Sequence, residues 1–132
     1  MRPQKIFSSI LFVAFFLFLF QLVAFGVRQG ESMIFSCNSG GPLGIALISG
    51  VWIALSIGAL FFFGMRWWQG NEYSYPLLCI IAAGGSNLLE RLVYGCVGDY
   101  LKVPFFPIFN MADVVLSLSV VFLLWREIRI KG

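Results

Sequence analysis

Between Ile6 and Val27 the chain carries no charged side chain, and the same is true from Leu43 to Met65. At about 1.5 Å of rise per residue, either run as a helix crosses the ~30 Å hydrocarbon core of a bilayer. The rest of the chain agrees. Charged residues make up only 11% of it, against roughly 25% in a soluble domain, and 15 of its 132 residues are Phe. A soluble core could not absorb this much apolar surface, so the solvent is lipid.

The start, with Arg2 and Lys5 ahead of the first apolar run, has the outline of a secretory signal peptide. The run exceeds the about 7–15 residues of such a segment, and no small-x-small cleavage site follows it. It is therefore expected to stay as the first of four transmembrane helices, at about 6–27, 43–65, 75–94 and 109–125. Pro76 suits the first turn of helix 3, and the pair Trp67-Trp68 suits a headgroup belt. Between helices 1 and 2, residues 32–37 are short enough to be extended. The fold expected is an all-α membrane protein with a small extended or β segment on its outer side. It forms one integral membrane domain over residues 1–132, with no linker to a second.

Four crossings put both termini on one side. That side holds Arg2, Lys5, Arg66, Arg126, Arg129 and Lys131; the other holds Arg28, Arg91 and Lys102. The positive-inside rule places the termini in the cytoplasm. The net charge of +3 is too small and too scattered for nucleic acid.

Within residues 82–113 sit three of the six carboxylates, Glu90, Asp99 and Asp113, with Asn87, Arg91 and Asn110. Given the topology, all of them gather at the outer membrane face, together with the Asn38-Ser39-Gly40-Gly41 turn. Asn87, Glu90 and Arg91 share one face of helix 3; Asn110, Asp113 and Ser117 share one face of helix 4. The two polar faces should look at each other, since a charge facing lipid at mid-membrane costs about 2.5–3.5 kcal/mol. Each residue also has a plainer explanation. Asn110 and Asp113 fit an N-cap with an acid in the first turn. Glu90 and Arg91 could end helix 3 and pair with each other or with Asp113. Asp99 could be a solvated loop charge, Gly84-Gly85 a close helix contact, and Asn38 to Pro42 an ordinary turn. Those explanations do not account for the joint occurrence.

The chain has no His, which removes Ser-His and Cys-His nucleophile pairs and His metal sites. No metal or other cofactor is expected. Hydrolysis would fall to carboxylates: two held close together share one proton, so one acts as base and the other as acid. The cysteines, Cys37, Cys79 and Cys96, form no CxxC. Cys79 reads as a small buried hydrophobe. Cys37 and Cys96 fall on the same outer side, but a disulfide between them is not the favoured reading.

Asn87-Leu88-Leu89-Glu90-Arg91, Gly95-x-Val97-x-Asp99 and Phe109-Asn110-Met111-Ala112-Asp113 together resemble the lipoprotein signal peptidase (signal peptidase II) family. Asn38-Ser39-Gly40 resembles, more weakly, its Asn-x-Gly motif. The resemblance implies a bacterial cytoplasmic-membrane aspartic endopeptidase, monomeric, with its site at the outer face. Its substrates would be prolipoproteins, cut before the diacylglyceryl-modified lipobox cysteine. Asp99 and Asp113 would be the catalytic dyad and Asn110 would orient it. Asn87, Glu90 and Arg91 would support it, and Asn38 and Gly40 would help bind substrate. Two departures stand out: Glu90 where the family usually has Asp, and no Asp or Lys in the Gln21 to Phe25 region of helix 1. They motivate the alternative of a catalytically impaired relative that binds lipoproteins. A small transport or proton-relay subunit is the other alternative, but it would want its acids at mid-membrane depth.

Overall fold

A computed structural model describes residues 3–30, 34–40, 49–70 and 74–132. Four helices, α1 (Pro3–Gln29), α2 (Ser49–Trp68), α3 (Ser74–Tyr94) and α4 (Met111–Lys131), are joined by two short strands, β1 (Ser36–Asn38) and β2 (Val97–Asp99). Helices α1, α2 and α3 are each long and apolar enough to cross a membrane. Helix α4 is of similar length but carries Asp113 at its start and Arg126, Glu127, Arg129 and Lys131 at its end.

Helix α3 is the hub, packed against α1, α2 and α4. Its small residues explain this. Ala82 and Ala83 are fully buried, and with Phe20 of α1 and Ala112 of α4 they form the core. At Gly84 an added Cβ would lie 3.3 Å from Leu60 and 3.8 Å from Leu116, so the missing side chain lets α2 and α4 approach α3 together. The outward faces stay apolar, as at Phe15, Phe18, Phe61 and Leu118, which suits a lipid solvent.

The helix limits differ from expectation in ways that local chemistry explains. Helix α4 begins at Met111 rather than Phe109 because Asn110 is its N-cap, and it runs on to Lys131 through the charged tail. Helix α1 reaches Gln29, and α2 continues through Arg66 to Trp68. The expected start of helix 2, at 43–48, lies outside the described residues. Helix α3 ends where Gly95 takes φ +74 and its amide returns to the Arg91 carbonyl at 3.0 Å.

Three expectations are corrected beyond the helices. Residues 95–107 are not all loop: β2 pairs antiparallel with β1, matching Ser36 to Asp99, Cys37 to Gly98 and Asn38 to Val97. That pairing brings the Cα atoms of Cys37 and Cys96 to 5.5 Å, and the two residues form a disulfide. Sequence alone does not give the distance between two cysteines 59 residues apart, and strands of three residues leave no periodicity to reveal their partner. Cys79 is a free thiol, half-buried rather than fully buried.

Candidate active site

The end of α3, the β1–β2 pair and the start of α4 meet in one polar cluster. Asn110 is its centre. As N-cap, its Oδ1 accepts the Asp113 amide at 2.9 Å, and the Asp113 carboxylate accepts the Asn110 amide at 3.2 Å. This is a capping box with aspartate in the acidic position. The Asn110 Nδ2 then donates to Asn87 Oδ1 at 3.1 Å and to Asp99 Oδ1 at 3.2 Å. Both aspartates are thus bonded to the same residue, one through its backbone and the other through its side chain.

Each carboxylate has a second donor. Asn87 Nδ2 donates to Asp113 Oδ1 at 2.7 Å, and Asn38 Nδ2 donates to Asp99 Oδ2 at 3.0 Å. Asp99 and Asn110 are each only 3% exposed. Burial pushes the Asp99 carboxyl up to about 6. The hydrogen bonds from Asn38 and Asn110 oppose the rise, while the negative charges of Asp113 and Glu90 add to it. A carboxyl held there keeps its proton to a higher pH than a free aspartate does, and the charge of the neighbouring Asp113 works in the same direction.

The supporting residues form a second layer. Arg91 donates to the Gly40 carbonyl at 2.7 Å and so ties the segment after β1 to α3. Glu90 pairs with neither Arg91 nor Asp113. Its Oε2 accepts Arg28 Nη2 at 2.7 Å and the Gly98 amide at 2.8 Å. Arg28 also donates to the Cys96 carbonyl at 3.3 Å, and its guanidinium sits 4.1 Å from the Tyr94 ring and 5.2 Å from Phe35. The end of α1 therefore holds β2 in place from behind, one residue before Asp99.

All eight residues singled out in the sequence, Asn38, Gly40, Asn87, Glu90, Arg91, Asp99, Asn110 and Asp113, belong to this assembly. Arg28, in the sequence one of the topology charges, joins them. Its signal was available: Gln21, Ala24 and Arg28 recur at i, i+3 and i+7 on one face of an otherwise apolar helix. Gln21 uses that same face, donating to the buried Ser86 hydroxyl at 2.8 Å and to its carbonyl at 3.2 Å. Tyr100 joins the assembly as well. Its hydroxyl accepts the Met111 amide at 3.2 Å, a second device at the start of α4, and burial pushes its own ionisation up.

The whole fold is shared with two solved chains, each described as a bacterial membrane enzyme structure obtained by the in meso method. One aligns with a TM-score of 0.82 over 95% of this chain and 90% of its own, the other with 0.76 over 90% and 91%, both at 18% identity. The architecture is therefore that of a multi-pass membrane protein. A family model described as Signal peptidase (SPase) II matches residues 5–129. The lipoprotein signal peptidase of Burkholderia ambifaria is 31% identical over 122 residues, covering 80% of this chain and 74% of its own. The chain belongs to the signal peptidase II family. The lipoprotein signal peptidase of Synechococcus sp. (strain RCC307) is 41% identical over 83 residues, and that of Wolinella succinogenes is 43% identical over 54. These matches span 55% and 37% of those two relatives.

Proposed function

We propose that this chain is an aspartic endopeptidase of the bacterial cytoplasmic membrane. It removes signal peptides from prolipoproteins by cutting before the diacylglyceryl-modified lipobox cysteine. The observation that carries the reading is the joint suspension of Asp99 and Asp113 from Asn110. A buried acid and a half-buried one, both held on one amide residue, have the arrangement a shared-proton dyad needs. In this reading the ionised member takes a proton from water as it attacks the scissile carbonyl. The protonated member donates to the carbonyl oxygen as negative charge develops there, and the proton is later delivered to the leaving amine. Asn38, Asn87 and Asn110 hold the carboxylates in place, so little reorganisation is needed during the reaction.

The termini face the cytoplasm and all four helices cross, with the site on the outer side as a single membrane domain. The six-to-three split of basic residues supports this orientation. So does the disulfide beside the site, because such bonds persist in oxidising compartments. The enzyme works as a monomer among membrane lipids, on substrates already anchored in the same bilayer.

The test uses the full chain reconstituted in liposomes with a diacylglyceryl lipobox peptide. Asp99→Asn and Asp113→Asn should each lower cleavage by about a thousandfold, with membrane insertion unchanged. Full cleavage by either variant would sink the reading.

A further inference from the structure

Between Asp99 and the start of α4 the chain makes a tight excursion whose base is closed by backbone bonds. The Tyr100 and Leu101 amides both donate to the Phe109 carbonyl, at 2.9 and 2.7 Å, and the Phe109 amide returns to Leu101 at 3.0 Å. Above this base stand Val103, Pro104, Phe105, Phe106 and Pro107. The Phe106 amide bonds the Val103 carbonyl at 3.2 Å, and its ring meets Phe109 edge-on at 5.7 Å. The tip is thus braced from within and rests on the residue next to Asn110.

What the tip presents is apolar. Phe105 is fully exposed, and Val103 and Phe106 are about half-exposed. Phe105 also holds φ +64, a left-handed conformation that bulky residues rarely adopt. Glycine would meet that backbone demand with less strain. A phenylalanine there, pointing away from the protein, is spent on contact with something outside the described fold.

The neighbouring surface identifies the occupant. The ends of α3 and α4 that flank the excursion expose Leu92, Val93, Tyr94 and Met111, so the tip continues the apolar surface of helices that lie in lipid. Lys102, next to the tip in sequence and exposed, adds an ammonium able to meet a lipid phosphate. Aromatic rings next to a basic residue are the usual composition of a membrane–water boundary.

We infer that the Val103–Phe106 tip dips into the bilayer at the headgroup boundary on the site's own side, fixing the height of the cluster above the hydrocarbon. The inference does not depend on the peptidase reading. The test places a bimane at Phe105→Cys, and separately at Val103→Cys, in a Cys79→Ala background reconstituted in phosphatidylglycerol-containing liposomes. Blue-shifted emission is expected from both labels, with quenching by lipids carrying a nitroxide near the headgroup and protection from aqueous iodide. Water-like emission with free iodide quenching at both positions would overturn it. Lipid quenching that arises only after an apolar signal-peptide segment is added would also overturn it, because the tip would then be a peptide clamp. The optical readout is independent of cleavage, so failure here and failure of the proposed reaction are distinguishable.

Discussion

Glu90 Oε2 is shared between Arg28 Nη2 at 2.7 Å and the Gly98 amide at 2.8 Å, so one oxygen joins α1, α3 and the strand that carries Asp99. Glu90 is buried and Arg28 half-buried, and breaking the pair leaves an uncompensated charge. Glu90→Ala is expected to destabilise the fold by about 3–5 kcal/mol, read as a lowered midpoint of thermal unfolding in detergent. Glu90→Gln can still accept the Gly98 amide and should cost less. Arg28→Met combined with Glu90→Gln should recover part of the loss, since no orphaned charge remains. Arg28→Lys keeps the charge but loses the flat guanidinium that stacks on Tyr94, and should fall between.

The Cys37–Cys96 bond lies one residue from Asn38 and three from Asp99, and it closes the strand pair that brings the two together. Reduction, or Cys37→Ser with Cys96→Ser, is expected to cost about 2–4 kcal/mol of stability. It should also weaken the Asn38–Asp99 contact and lower cleavage before the helices unfold. Peptide cleavage and helical circular dichroism, followed side by side as reductant rises, would separate the two effects. Simultaneous loss of both signals would argue that the bond serves the fold alone.

Acidity gives a third expectation. With the Asp99 carboxyl raised to about 6, the protonated form is lost as pH climbs through that value. Because the shift is upward, its contribution to stability is complete below the ordinary aspartate value of 3.8 and disappears as pH rises through about 6. In kinetics, kcat/KM should fall on the alkaline side with an apparent pKa near 6 belonging to the pair in the free enzyme. Asn38→Ala removes a donor to the carboxylate and should move that limb upward. A flat profile from pH 5 to about 8 would contradict the shared-proton scheme.

Gly98 tests the crowding behind Asp99. A Cβ there would lie 2.8 Å from Phe35 Cε2 and 3.3 Å from both Arg28 Nη2 and Glu90 Oε2. Gly98→Ala is expected to cost about 1–3 kcal/mol and to reduce activity through displacement of β2. Adding Phe35→Leu should restore much of both, because the ring is the nearest obstacle.

Several features were legible in the sequence because they rest on local rules. Uncharged runs located the helices, and i, i+3, i+4 spacing put Asn87, Glu90 and Arg91 on one face. Asn110 with Asp113 announced the start of α4. The partners were not legible. Nothing local says that Glu90 turns to Arg28, sixty-two residues away, instead of to the adjacent Arg91. Arg28 lies just past an apolar run, where a basic residue is routinely a topology marker. The same holds for Cys37 and Cys96, whose meeting depends on how two three-residue strands align. Asn38 read as a turn residue because its strand is too short to alternate.

The two acids differ in what the fold asks of them. Asp113 and Asn110 form the capping box that starts α4, so the helix needs them whether or not a bond is ever cut. Asp99 closes no helix; its carboxylate is buried at some cost and serves only the cluster. Under the proposed dyad, selection for a folded protein and selection for chemistry coincide at residue 113 and separate at residue 99. A descendant of this chain released from catalysis would be expected to lose its aspartate at 99 first and to keep Asn110 and Asp113 long afterwards. On the proposed reading, the Phe109–Asp113 segment of this chain testifies to a helix start, and the acid that closes β2 testifies to an enzyme.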